Sequence, residues 1–278
     1  MHTLSLLTLG ALSPLLASAA DCTREFLQTS ADSLIAAQKA GNPALLTPVS
    51  DTITYRENYA AAQLPSGILT KALPIDHSRH SLDTTQCATY TELISATGPT
   101  PYVLGVQMYF ADGAVSKIDT LVTTTGDWLF NATGTLHWAS QEKWDTIPEA
   151  DRDSREVIQA AADAYCDIFS DKSVVVPWGY PCARLEGGMY TGNGGPNDKC
   201  DVGIPSGVSL TDRRYVIDET VGAVSVFLSF ATIPDSHEFR VEKGKLRFVH
   251  TLTVMSARGN GKSAGRRGRR GVMSPPAK

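Results

Sequence analysis

The sequence predicts an α+β protein made of two tandem units, each a helix laid on a curved sheet in a cone-like arrangement. Three observations predict it. A helix-like stretch, a polar loop-rich middle and a ladder of alternating strands occur twice, from Cys22 to about Thr125 and from about Asp151 to Val254. Each pass is roughly a hundred residues, the size of one small domain. Each closes on strands whose apolar residues alternate, as Val226, Leu228 and Phe230 do and as Phe248, His250, Leu252 and Val254 do. Strands of that length can bury one face against the preceding helix. Two such units would build two pockets or one shared cleft.

The elements follow in order. Asp21 to Gly41 has the spacing of a helix, with Leu27, Ala31, Leu34 and Gln38 near one face and Gly41 as a C-terminal cap. Ile53 to Tyr59 is a short strand and Leu64 to Leu73 a loop. Cys87 to Ile94, Tyr102 to Phe110 and Val115 to Thr124 are strands, the last two joined by an Asp112-Gly113 turn. Gly126 to Pro148 joins the passes and holds Trp128, Trp138 and Trp144, which are assigned to packing between the halves. Asp153-Ser154-Arg155-Glu156 resembles a capping box. The helix it opens runs to about Phe169, with Ile158, Ala161, Tyr165 and Ile168 on one face.

Val174 to Gly207 is rich in Gly, Pro and Cys and is predicted as loop with at most a short strand. Four strands follow: Arg214 to Glu219, Ala223 to Phe230, Glu238 to Glu242 and Leu246 to Val254, with Glu242 to Lys245 as the last hairpin turn. The predicted organisation is therefore a secretory signal (1–20), a first unit (21–130), a connecting segment (131–150), a second unit (151–255) and a disordered basic tail (256–278).

The signal rests on the short apolar run Leu4 to Leu16 and the small-residue cleavage site Ala17-Ser18-Ala19-Ala20. That run is too short to span a bilayer comfortably, and no later segment is apolar enough, so a secreted or secretory-pathway protein without a membrane span is expected. All five cysteines follow the signal and would tend to pair in an oxidising compartment. Cys182 and Cys200 bracket a Gly-rich loop and are the first expected pair; Cys22 with Cys87 is the second. Cys166, on the apolar helix face, is left as a buried thiol, although spacing alone does not dictate connectivity. Asn131-Ala132-Thr133 is a glycosylation sequon.

The net charge of −4 conceals an asymmetry: seven of the 25 basic residues lie from Ser256 onward with no acidic one. The rest carries 18 Lys and Arg against 29 Asp and Glu. A body that acidic repels phosphate backbones, which excludes a nucleic-acid partner.

Polar clusters give the candidate chemistry. Asp76-His77-Ser78-Arg79-His80 is the densest of the first half. His77 beside a carboxylate could shuttle a proton. A metal on His77 and His80 lacks a strong zinc spacing, and a structural loop is the favoured reading. Tyr55 and Glu57 alternate with Arg56 on a presumed strand, so they share a face. On a cavity wall, Glu57 would be a base and Tyr55 an oxyanion donor; on an outer face, both would meet solvent.

In the second half, Arg184, Glu186 and Tyr190 flank Gly187-Gly188. They suit a pocket rim, or a structural Arg184–Glu186 ion pair. His237, in Pro234-Asp235-Ser236-His237-Glu238, is placed at a strand entrance facing a cavity mouth, whereas His250 reads as a satisfied core histidine. Ser206 lacks a nucleophile elbow, the Gly-rich stretches lack a phosphate-loop lysine, and no cofactor fingerprint is present, so no cofactor or metal is expected.

The helix, polar middle and long terminal strands resemble the nuclear transport factor 2-like fold, which includes ketosteroid isomerase and SnoaL-like cyclases. Several stretches resemble a family of fungal secreted proteins of undefined function: "DHSRHSLDTTQCATYTEL", "TTTGDWLFNA", "RDSREVIQAAADAY", "VPWGYPCARLEGGMYTG", "CDVGIPSGV", "RRYVIDE" and "PDSHEFRVEKGKLRFVHT". The resemblance runs to Val254 and stops at the tail. Some members of that family occur in secondary-metabolite gene clusters, which implies tailoring chemistry without naming a reaction.

The expected function is a secreted, cofactor-free isomerase, cyclase or dehydratase of a small polyketide-like fungal metabolite. His77, Glu57 and His237 are the acid or base candidates and Tyr55, Arg184 and Tyr190 the oxyanion donors. The alternative is a non-catalytic secreted protein that binds a small ligand or acts at a surface.

Overall fold

The computed structural model describes residues 22–46 and 48–255; the expected signal and basic tail lie outside them. The first half contributes helix α1 (Arg24–Ala40) and strands β1 (Val49–Glu57), β2 (Ala60–Ala61), β3 (His77–Asp83), β4 (Ala88–Ser95), β5 (Tyr102–Ala111) and β6 (Ala114–Thr124). Helix α2 (Ala132–Ala139) lies in the connecting segment. The second half contributes α3 (Arg155–Asp167), β7 (Trp178–Glu186), β8 (Met189–Tyr190), β9 (Leu210–Asp218), β10 (Ala223–Phe230), β11 (Ile233–Glu242) and β12 (Lys245–Thr253).

The doubling read from the sequence is a doubling of topology. The sheets run β2-β1-β6-β5-β4-β3 and β8-β7-β12-β11-β10-β9, element for element in the same order. In each, the only parallel pair is the long early strand against the last one, β1 with β6 and β7 with β12. Both sheets are therefore mixed, and the protein is α+β with two six-stranded sheets.

Helix α1 starts where the Thr23 hydroxyl accepts the Phe26 N–H at 3.1 Å, and it stops at Gly41, whose φ of 62° suits a residue without Cβ. Its buried face is Leu27, Ala31, Leu34 and Gln38, the face the spacing predicted. Helix α3 is capped by Ser154, whose hydroxyl accepts the Val157 N–H and donates to Glu156 Oε2 at 2.8 Å, so Glu156 does not close a true capping box. Each helix lies on its own sheet and closes its own apolar core.

The structure departs from the sequence reading in three places. Asp76–His80 is not a loop: His77 begins edge strand β3, paired antiparallel with β4. Trp178–Glu186, read as loop, is a nine-residue strand held between β8 and β12. Gly179 and Pro181 lower its local strand propensity, and pairing with a distant strand overrides them. The connecting segment contains α2, capped by Asn131, whose Oδ1 accepts the Gly134 N–H at 3.0 Å.

The helix-free faces of the two sheets meet, and two reciprocal clasps lock them. Arg24, at the start of α1, grips Asp218 at the end of β9 with bonds of 2.7 and 2.9 Å. Arg155, at the start of α3, grips Asp83 at the end of β3 with bonds of 2.8 and 2.7 Å. Each aspartate also accepts a backbone N–H from the opposite edge strand at 2.8 Å, Leu82 to Asp218 and Ile217 to Asp83. Bidentate guanidinium–carboxylate bonds of this kind fix orientation as well as adding energy.

Both expected disulfides are present: Cys22–Cys87 with Cα atoms 5.5 Å apart and Cys182–Cys200 with Cα atoms 5.2 Å apart. Cys166 is a free buried thiol whose pKa is pushed up by burial. No described helix is long and apolar enough to cross a membrane.

Candidate active site

A cavity of about 430 Å³ opens against the sheet of the second unit, between Phe169 just past the end of α3, the loop at Gly203 and Pro205, and Trp128 and Leu129. Most of its wall is apolar, with Trp128, Phe169, Phe230 and Ile233 around it and Met189 and Met255 among its more exposed lining residues. Its polar groups come from adjacent strands: Arg184 and Glu186 from β7, His237 from β11, Thr251 and Thr253 from β12. An apolar pocket with a few convergent polar groups is the usual form of a small-molecule site.

His237 is 2 % exposed and is braced from one side. Its Nδ1 lies 2.9 Å from Asp235 Oδ2, and the Thr253 hydroxyl donates to Asp235 Oδ1. Asp235 and His237 are two apart on one strand, so both side chains leave the same face. The imidazole stacks on Phe239 and packs against Tyr165 and Phe169. The Nδ1–Oδ2 contact is close but is not a well-directed hydrogen bond, and Nε2 is the nitrogen left for a guest.

Arg184 is 5 % exposed, with Nε 3.3 Å from Glu186 Oε1. Burial opposes its charge, but Tyr165 and Glu186 outweigh that and hold its pKa up. The Tyr165 phenol is wholly buried, and burial raises its pKa, so it stays protonated. Arg184 Nε and Thr251 Oγ1, on lining residues, and the Tyr165 hydroxyl, on a residue outside the lining, are buried without a well-directed hydrogen bond among the described residues. Unsatisfied donors at a cavity are expensive unless a guest or water completes them.

The corresponding place in the first unit is filled. The pair Val106–Thr120 occupies the register of His237–Thr251, and Leu104–Val122 that of Asp235–Thr253. Tyr55 and Glu57 stand where Arg184 and Glu186 stand. Leu69 and Leu73 are buried there beside Tyr55, with Leu64 and Ile68 packed on them. The Tyr55 phenol and the Ile68 N–H both donate to Glu57 Oε1. A Cβ on Gly67 would fall 2.5 Å from the Tyr55 ring, so the loop seals the pair. Tyr55 and Glu57 do share a face, as predicted, with Tyr55 buried and Glu57 half-buried under that loop.

The other candidates disperse. His77 is half-buried on β3, far along the chain from the cavity residues, on the face of Arg79, Ser81 and Asp83. His80 is on the opposite face, its Nε2 2.8 Å from Gln28 Oε1, so the two histidines do not share a ligand. Tyr190 stacks on Trp138 at 4.2 Å between centroids and does not line the cavity. His237 lies inside a long strand at the cavity floor, not at a strand entrance. Of the six predicted residues the cavity gathers Arg184 and His237; the Arg184–Glu186 ion pair is also present, so both readings of that pair hold. The sequence reading gave Asp235 no role, placed Tyr165 on an apolar helix face and assigned Trp128 to packing between the halves. The Asp-x-His spacing on a strand was the available signal for Asp235.

His250 is a satisfied histidine, but carboxylates satisfy it: Nδ1 is 2.9 Å from Glu92 and Nε2 2.7 Å from Glu142. Arg79 joins them, paired with Glu238, 3.4 Å from Glu92 and covered by Trp144. Glu92, Glu238 and His250 converge closely enough to hold a metal ion. The Arg79 guanidinium already supplies the cation there, which makes this an inter-unit ion cluster.

Among the described residues the protein is α+β with two six-stranded mixed sheets and a largely apolar cavity beside the second. Residues 151–253 match a family described as a domain of unknown function (DUF8021), and that stretch carries the cavity's strand residues. No curated protein matches the chain.

Proposed function

We propose that the second unit is a cofactor-free acid–base enzyme acting on a small, largely apolar molecule with one carbonyl or hydroxyl end. The observation that carries this reading is the Asp235-braced His237 at the floor of an apolar cavity. In the proposed reaction His237 Nε2 removes a proton from carbon next to a carbonyl and returns it elsewhere, which isomerises the guest, or delivers it to a departing hydroxyl, which dehydrates it. Arg184 and the protonated Tyr165 phenol are the donors for the developing oxyanion. Asp235 stands beside the ring on its Nδ1 side, 2.9 Å away, and leaves Nε2 to face the guest.

The helix-on-mixed-sheet units support a nuclear transport factor 2-like assignment in tandem, and the two disulfides support passage through an oxidising compartment. With the resemblance to fungal secreted proteins, the proposed substrate is a polyketide-like secondary metabolite. The exposed Asn131 of the sequon is compatible with glycosylation. Ligand carriage without turnover is the second reading, favoured by the predominantly apolar wall.

The test is gene deletion followed by return of the wild-type gene or His237→Gln, with culture metabolites compared by mass spectrometry. Accumulation of an isomer, or of a species heavier by one water, restored by wild type but not by the variant, is expected. In vitro the variant should lose about 10²–10⁴-fold in turnover. A product profile restored fully by His237→Gln would remove the catalytic reading.

A further inference from the structure

The approximate two-fold relation between the units places a second charged cluster opposite the one around His250. Arg214 is four residues before Asp218, as Arg79 is four before Asp83. Gln107 pairs with Asp119 as Glu238 pairs with His250. The related cluster is therefore Arg214, Gln107 and Asp119, joined by Arg56 and Lys117. Its charge balance is the reverse. The His250 cluster sets Arg79 and His250 against three carboxylates, Glu92, Glu142 and Glu238. The Asp119 cluster sets three cations against one carboxylate.

The contacts are short. Arg56 grips Asp119 at 2.6 and 3.0 Å, Lys117 Nζ lies 2.9 Å from Oδ2, and Arg214 Nε 3.6 Å from it. Asp119 is fully buried, whereas the side chains of Arg56, Lys117 and Arg214 are 33, 28 and 24 % exposed. Arg214 Nε and Nη2 are buried atoms with no hydrogen-bond partner among the described residues. The neighbouring carboxylate, Asp83, is neutralised by Arg155. Two positive charges thus remain uncompensated in a partly desolvated place, on a body that is otherwise acidic. Such a focus raises the local concentration of anions.

The related cluster shows what completes such a site. There the connecting segment supplies the Glu142 carboxylate to His250, and Trp144 covers Arg79 with 3.8 Å between guanidinium and ring. At Asp119 an aromatic cover is also present, Tyr59 under Arg214 at 4.4 Å and Tyr109 under Lys117 at 4.7 Å. The described chain supplies no second carboxylate. We propose that this site, at the junction of β1, β6 and β9, binds the carboxylate group of an external small organic acid, held by Lys117, Arg56 and Arg214 between Tyr59 and Tyr109. Charge-assisted bonds from guanidinium and ammonium would hold it.

The experiment uses the full disulfide-bonded chain and its unfolding midpoint in benzoate, in inorganic phosphate and in sodium chloride of equal ionic strength. A saturable rise of a few degrees in benzoate, absent in chloride, is expected from preferential binding to the folded state. Lys117→Gln, a change at a partly exposed side chain, should abolish the rise. Arg56→Gln should do the same if Lys117→Gln misfolds, with circular dichroism checking each fold. These variants separate the site from the seven basic residues beyond Ser256. A benzoate rise that survives in folded variants, or no saturable rise in wild type, overturns the proposal. A rise with phosphate alone overturns the carboxylate assignment.

Discussion

Beside Tyr55 and Glu57 the first unit is packed with side chains; beside Arg184 and Glu186 the second unit keeps a cavity of about 430 Å³. The two sheets have the same strand order and near-identical registers. The difference lies in a few side chains. Leu104, Val106 and Val122 in one unit stand where Asp235, His237 and Thr253 stand in the other. A short stretch carrying Leu64, Ile68, Leu69 and Leu73 closes the first pocket. The backbone scaffold is common to both units; the cavity's polar groups come from strands of the second, and Trp128 and Leu129 at the end of the first add to its wall. The sheet of the first unit covers the helix-free face of the second.

The largest expected effect comes from breaking the reciprocal clasps. Asp83→Asn and Asp218→Asn each strand an arginine and leave a backbone N–H with a weaker acceptor. Removing one partner of a buried pair typically costs about 3–5 kcal/mol. Asp83→Asn should reach that range, because Arg155 is 17 % exposed; Asp218→Asn should fall below it, because Arg24 is 39 % exposed and solvent screens the loss. Denaturant midpoints of the two variants measure this, and equal costs would contradict it.

Filling and emptying the pockets should follow next. Leu69→Ala removes a buried plug from the first unit and should cost about 2–5 kcal/mol, with no effect on ligand binding in the second. Phe230→Ala borders space that is already open, so it should cost less stability than Leu69→Ala and weaken any guest bound in the cavity. Calorimetric unfolding with a bound ligand distinguishes them, and the opposite ranking would mean that the cavity is misplaced.

The smallest effect concerns pH. Burial works against the charge on His250, but Glu92 and Glu142 outweigh it and raise its pKa from 6.5 to about 10. A raised folded-state pKa means that its contribution to stability is complete below pH 6.5 and is lost as pH rises toward 10. Glu92, despite burial, is held below its usual range by His250 and Arg79, so its own contribution fades in strong acid. The unfolding midpoint should therefore decline on the alkaline side, and His250→Phe should flatten that decline.

Much of the fold was legible. The repeat, the helix faces of Leu27-Ala31-Leu34 and Ile158-Ala161-Tyr165, and the turns at Asp112-Gly113 and Lys243-Gly244 rest on periodicity and turn chemistry, which act over a few residues. Both disulfides were legible too. Strand β7 was not, because Gly179 and Pro181 obscure it and its partner β12 lies some sixty residues away. Strand β3 was hidden by its polarity: Arg79, Ser81 and Asp83 face a buried polar interface, so hydrophobic alternation gave no signal. In the site, His237 and Arg184 were visible as charged residues among glycine and apolar strands. Tyr165 was hidden inside an ordinary apolar helix face.

By itself, then, the sequence determined two α+β units, their helices, most of their hairpins and their cysteine pairs, because each depends on neighbours along the chain. The tertiary structure decided which unit keeps a cavity, that Asp235 braces His237 there, and that acidic and basic side chains meet between the sheets. Those outcomes depend on volumes and charges brought together from distant strands. Leu69 and Phe169 are both apolar residues in a loop or helix end, and only their surroundings make one a plug and the other a wall.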